Sequence, residues 1–117
     1  MKIKTVLTLS AVICVASIIA QGSNYTPQET PKHVGETATV TGTVDGVHQS
    51  GKGNIFLNMG GKYPNQAFTA FIPSSSSAQF TNPQQYEGRT VAVSGKIQLY
   101  KGKPEIIVNS PSQISAK

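Results

Sequence analysis

"SSSSAQFTNPQQYEG", residues 74–88, interrupts a succession of strand-like segments, and its reading decides the fold. No alternation of apolar and polar side chains runs through it, so it is not a strand. Its second half carries start and stop signals for about one turn of helix. Asn82 stands at the cap, Pro83 at the first helical position, Gln85 three residues on from the cap, and Gly88 just beyond the end. The serine run before it lies between strands and reads as a loop inside the domain. Phe80 and Tyr86 are placed to plug one end of a barrel.

On either side the pattern is β. "TATVTGTVDGVH", 37–48, alternates Ala38, Val40, Gly42 and Val44 with Thr39, Thr41, Thr43 and Asp45, the period of a half-buried strand. Gly42 within it predicts a bend or bulge. "HQSGKG", 48–53, is a loop; "NIFLNM", 54–59, a short second strand; "GGKYPN", 60–65, a turn; "QAFTAFI", 66–72, a third strand ended by Pro73. Beyond the helical link, "RTVAVSGKIQLY", 89–100, is a long fourth strand with Gly95 inside it, "KGK" a tight turn, "PEIIVN", 104–109, a fifth strand, and "SPSQISAK" a tail. Three strands, a short helical link and two more strands, with glycines inside the two long ones, match the all-β, five-stranded Greek-key OB barrel. Pattern alone also admits another small antiparallel barrel, such as an SH3-like one. The helical interruption after the third strand favours OB.

The chain has 117 residues, so one domain is the default. "MKIKT" is a short positive start and Val6–Ala20 an apolar run broken by Thr8, Ser10 and Ser17, before the sequence turns polar. That is a helical secretory signal peptide over 1–22, cut after Ala20 or Gly22. The apolar run is shorter than the ~20 residues a spanning helix needs, so no membrane anchor remains after cleavage. Ile13 before Cys14 is too large for a lipid-attachment site. Residues 23–33, with Pro27 and Pro31, read as a leader that is flexible or ordered on contact, and 34–117 as the OB domain. The expected destination is outside the cytoplasm, periplasmic or secreted.

Cys14 is the only cysteine, so the mature chain has no disulfide framework. Ten basic and five acidic residues give the whole chain +5; removing Lys2 and Lys4 leaves eight against five, or +3. A mildly basic protein of this kind tolerates a polyanion without requiring one.

"VGETATVTGTV", "NIFLNMGGKYPNQAFTAFIP", "YEGRTVAVSGKI" and "YKGKPEIIVNSPSQI" together resemble the OB-fold nucleic-acid-binding domains of bacterial exported proteins, which stand alone or are joined to nucleases. The resemblance runs from Val34 to Ile114. It implies the OB fold and a single-stranded DNA or RNA ligand. OB barrels also bind oligosaccharides and proteins, so an envelope protein partner or a sugar remains an alternative.

OB ligands lie across the second and third strands, bordered by the loops between strands one and two and between four and five. Period two puts Ile55 and Leu57 on one face of the second strand and Phe56 and Asn58 on the other. In the third strand Phe68, Ala70 and Ile72 oppose Ala67, Thr69 and Phe71. The aliphatic sets, with Phe68, form the core. Phe56 and Phe71 then point outward beside Asn58 and Thr69, where bases can stack. Lys52, Lys96, Tyr100, Lys101 and Lys103 flank them as backbone contacts. His48 and Gln49 can reach sugar or base from the first loop.

No catalytic function is expected. The mature chain has Asp45, Glu29, Glu36, Glu87 and Glu105 scattered at strand ends and turns, with no metal-ligand spacing, nucleophile–base set or phosphate loop before a helix. No cofactor and no metal are expected, and the domain is expected to act as a monomer.

Overall fold

The structure, a computed structural model, describes residues 22–117. The expected signal peptide lies, but for its last residue, outside the described residues. None of the described helices is long and apolar enough to cross a membrane.

The fold is all-β. Its strands are β1 (Asn24–Tyr25), β2 (Thr37–Gln49), β3 (Ile55–Met59), β4 (Phe68–Ile72), β5 (Thr90–Tyr100), β6 (Lys103–Ile107) and β7 (Ile114–Ala116). They lie in one sheet in the order β1-β2-β3-β4-β6-β5-β7, and β2 also pairs with β5. The pairings β2-β3-β4-β6-β5-β2 therefore close a ring of five strands, with β1 and β7 attached outside it. All pairs are antiparallel except β1–β2 and β4–β6.

The two long strands close the ring because each serves two neighbours. Thr37–Thr43 of β2 pairs with β5, and Val44–Gln49 pairs with β3. The change of partner occurs at a bulge between Val44 and Gly46. Asp45, the extra residue, accepts a hydrogen bond from the Gly61 N–H at 2.7 Å. The bend thus lies at Asp45 and not at Gly42. In β5 the partner changes from β2 to β6 between Lys96 and Ile97. Gly95 lies just before this change, and a Cβ there would come within 2.6 Å of Ile106 Cγ2.

The inward residues follow period two. Val40, Val44, Ile55, Leu57, Phe68 and Ile72 are fully buried with Val91, Val93 and Ile97 of β5 and Ile106 of β6. Each such side chain contributes roughly 1.5–3 kcal/mol of transfer free energy.

The leader, expected to be flexible or to order on contact, is folded onto the sheet. Ser23 accepts from the Thr39 N–H, β1 pairs alongside β2, and Pro27–His33 forms a 3-10 helix. The Thr26 N–H donates to the Glu29 carboxylate at 2.8 Å, and the fully buried Thr30 hydroxyl donates to the Pro27 carbonyl at 2.7 Å. Gly42 belongs to this packing. A Cβ there would sit 2.7 Å from Pro27 Cγ and 2.8 Å from its Cδ.

The link from β4 to β5 is more helical than expected. The serine run forms one helical turn, α1 (Ser74–Ser77), after Pro73, with the Ser77 hydroxyl bonded to the Ser74 carbonyl. Pro83–Tyr86 is a 3-10 turn. The Asn82 side chain does not cap it; the Asn82 backbone carbonyl accepts from the Gln85 N–H instead. Gly88, at φ +82°, takes the left-handed conformation just past the end, and its N–H bonds to the Val44 carbonyl. Phe80 joins the core and Tyr86 packs against it. The tail also pairs: β7 runs antiparallel to β5 and buries Ile114.

Candidate nucleic-acid interface

The outer face of β3 and β4 carries a row of side chains held opposite one another by register. His48 faces Phe56, Phe56 faces Phe71, and Phe71 faces Ile107 across β2, β3, β4 and β6. The His48 and Phe56 ring centroids are 5.7 Å apart, and those of Phe56 and Phe71 5.3 Å. Both phenylalanines are half-buried, whereas their inward neighbours Ile55, Leu57, Ala70 and Ile72 are buried. Pro27 of the leader approaches Gly42 and Gly60, beyond the far end of β3 from Phe56.

The adjoining row is polar. Asn58 faces Thr69, Thr69 faces Glu105, and Glu105 faces Gln98. Gln66 Nε2 donates to Thr69 Oγ1 at 3.3 Å, and the Thr69 hydroxyl donates to Asn58 Oδ1 at 3.0 Å. All three side chains are buried, although they belong to the outer face. Glu105 is only partly covered, and desolvation raises its pKa above the ordinary carboxylate value.

A groove of about 670 Å³ lies over this polar row. The end of β2 contributes His48 and the loop after it Ser50, the β3–β4 turn Tyr63 and Pro64, and the end of β5 and the turn after it Tyr100 and Lys101. Tyr63 is 76% exposed and Tyr100 56%, so both rings stand free at the rim. Lys101, with φ +50°, places its ammonium 5.3 Å from the Tyr100 ring centroid. This is a cation–π contact that leaves both groups facing solvent.

The structure gathers Phe56, Asn58, Thr69, Tyr100, Lys101 and Lys103 around this one groove. Phe71 lies outside it but touches it through Phe56. The lysines divide. Lys103 lines the groove, yet its ammonium already donates to the Pro64 carbonyl at 2.8 Å and the Gln66 carbonyl at 3.1 Å. It ties down the β3–β4 turn in place of standing free for a phosphate. Lys52 is exposed at the tip of the β2–β3 loop, two residues beyond Ser50, and does not line the groove. That loop is fixed by a hydrogen bond from the Ser74 N–H to Asn54 Oδ1. Lys96 pairs with Thr37, where β5 runs beside β2, and lies outside the groove. Its expected placement beside the aromatics fails because β5 changes partner just after it.

Sequence reasoning passed over Gln66 and Glu105 as groove residues. The signal for Glu105 was present: Ile106 and Val108 are inward, so period two turns Glu105 outward beside Thr69. Gln66 precedes its strand, and only the folding of the turn over the sheet brings it in. Among the described residues no three His, Cys, Asp or Glu side chains come together to hold a metal ion.

No family model and no curated protein matches the chain. Solved structures do. A chain from Leishmania major Friedlin assigned as an aspartyl-tRNA synthetase matches 82% of this chain with a TM-score of 0.53 and 13% identity. The aspartyl tRNA synthetase from Entamoeba histolytica matches 74% with a TM-score of 0.51 and 19% identity. This chain spans only 21% and 19% of those two. The OBody AM1L10, bound to hen egg-white lysozyme, matches 83% of this chain over 94% of its own length, with a TM-score of 0.51 and 19% identity. At these identities the likeness is one of fold.

Proposed function

We propose that the chain is an exported, non-catalytic OB module that binds single-stranded nucleic acid by base stacking and backbone electrostatics. Five strands closing in the order β2-β3-β4-β6-β5, with a helical link before β5, have the connectivity of an OB barrel. The observation that carries the reading is the outward Phe56–Phe71 pair on the two strands where OB ligands lie, beside a groove rimmed by Tyr63, Tyr100 and Lys101. Two fold neighbours are enzymes named for tRNA, which supports a nucleic-acid ligand.

Anisotropy titration of the chain with labelled single-stranded and duplex oligonucleotides at two salt concentrations tests the proposal. Two or three phosphate contacts give a slope of log K against log salt of roughly −1.4 to −2.1. Losing one stacked base costs roughly 1–3 kcal/mol, so Phe56→Ala weakens binding by about 5- to 150-fold. Absence of binding at low salt refutes the proposal.

A second reading, an envelope protein-interaction module, is favoured by the OBody, whose structure is that of a complex with a protein. Protein pull-down in place of oligonucleotide binding separates the two.

A further inference from the structure

The polar floor of the groove is short of hydrogen-bond donors. Gln66 is 7% exposed, and its Oε1 is buried without a hydrogen-bond partner. Its orientation follows from the chain of hydrogen bonds. Thr69 has one hydroxyl proton and gives it to Asn58 Oδ1, so the Gln66 atom facing Thr69 is the donor Nε2. The orphaned atom is then a carbonyl oxygen, and a buried acceptor left unpaired is uncommon and costly.

Glu105 adds two more acceptors to the same groove. It is the register partner of Thr69, on the same outer face, and lines the same groove. Among the described residues it has no ion pair, and desolvation alone moves its pKa. Lys103, two residues earlier in β6, has its ammonium on the Pro64 and Gln66 carbonyls. The rim, in contrast, has aromatic faces and the cation of Lys101. A ligand that suits this site has a flat ring, an anionic backbone, and several adjacent N–H groups on one edge.

Among the nucleobases, guanine alone presents adjacent N–H groups on its Watson–Crick edge: N1–H and the two hydrogens of N2. Adenine and cytosine place a ring-nitrogen acceptor next to their amino group, and thymine or uracil has one N–H between two carbonyls. Those lone pairs would face the Glu105 carboxylate. Single-stranded bases are read on this edge while stacked on aromatic side chains.

We infer that the groove holds a guanine subsite, in which the Glu105 carboxylate accepts N1–H and one N2–H and Gln66 Oε1 accepts the other N2–H. The inference rests on the single-stranded nucleic-acid reading and replaces uniform stacking with preference at one base.

The test is anisotropy titration of the full chain with three labelled strands at low salt: oligothymidine, the same strand with alternate guanines, and that strand with inosine for guanine. A well-placed set of base hydrogen bonds is worth roughly tenfold in affinity, so the guanine strand binds about tenfold tighter than oligothymidine. Inosine, lacking the 2-amino group, loses most of that advantage. Glu105→Gln and, separately, Gln66→Leu reduce the guanine-to-thymidine affinity ratio toward one. Because the readout is a ratio within each variant, a general loss of binding does not mimic the effect. A wild-type ratio of one, or a ratio unchanged in Glu105→Gln, overturns the subsite while leaving the nucleic-acid reading intact. No binding of any strand overturns both.

Discussion

Gly42→Ala tests whether the leader is part of the folded domain. In an uncrowded strand, replacing glycine by alanine stabilises by about 0.5–1 kcal/mol, because the unfolded chain loses freedom. Here the added methyl would lie 2.7 and 2.8 Å from Pro27 Cγ and Cδ. Those atoms belong to a ring and cannot swing aside, so either the 3-10 helix lifts or β2 shifts. Overpacking of this kind costs about 1–3 kcal/mol, and the sign of the change is reversed. For a domain of this size each kcal/mol moves Tm by roughly 4–8 °C, so the variant melts about 5–20 °C lower. The cause is separable. Pro27→Ala removes Cγ and Cδ but keeps the Cβ that approaches Gly60, so in that background Gly42→Ala is neutral or mildly stabilising. A double-mutant cycle followed by thermal melting then gives a coupling of about 1–3 kcal/mol. A rise in Tm for Gly42→Ala alone, or an equal loss in both backgrounds, refutes the packing of Pro27 on Gly42.

Other outcomes follow from the same geometry. Phe56 lines the groove and Phe71 does not, so Phe56→Ala weakens oligonucleotide binding more than Phe71→Ala, and Lys96→Met leaves the affinity unchanged in the same titration. Lys103→Met lowers stability by about 1 kcal/mol through two lost bonds from a charged donor, whereas Lys101→Met leaves Tm unchanged and flattens the salt dependence of binding. Glu36 accepts from the Tyr25 hydroxyl at 2.6 Å and contacts His33 at 2.8 Å, and its pKa is lowered by the Tyr25 hydrogen bond first and by His33 second. A carboxylate depressed on folding stabilises above its unfolded pKa and loses that contribution as pH falls through the folded value. Tm therefore declines as pH drops below 4.5, and Glu36→Gln makes this part of the Tm–pH curve shallower.

The sequence was most legible where one rule acted alone. Period two separated Ile55, Leu57 and Ile72 from Phe56 and Phe71, because each short strand keeps one pair of neighbours along its length. It failed where a strand changes partner. Lys96 has the same parity as Tyr100, but β5 passes from β2 to β6 between them, so only Tyr100 reaches the groove. Gly42 carried a real signal that was read for the wrong cause. A glycine inside a strand marks either a bend or a close approach, and the approaching atoms come from residue 27, fifteen positions earlier. Lys103 looked like a free cation because its partners, the Pro64 and Gln66 carbonyls, are backbone groups that no side-chain pattern reveals.

The misreadings of Gly42 and Lys103 concern a single physical unit. Pro27 rests on Gly42 and Gly60, the Gly61 N–H is held by Asp45 at the β2 bulge, and the turn that begins there carries Tyr63, Pro64 and Gln66 to the groove. Lys103 closes the same turn from the β6 side. The wall of the groove is therefore fixed at both ends, by the leader and bulge on one side and by one ammonium on the other. Gly60, at φ +71°, has no room for a side chain because Ala67 and Pro27 already crowd it, so the turn cannot relax locally if the leader is displaced. Gly42→Ala, which touches no groove residue, should then weaken oligonucleotide binding as well as lower Tm. Pro27→Ala in the same chain should restore both together. Recovery of stability without recovery of affinity would mean that the turn is positioned by Asp45 and Lys103 alone.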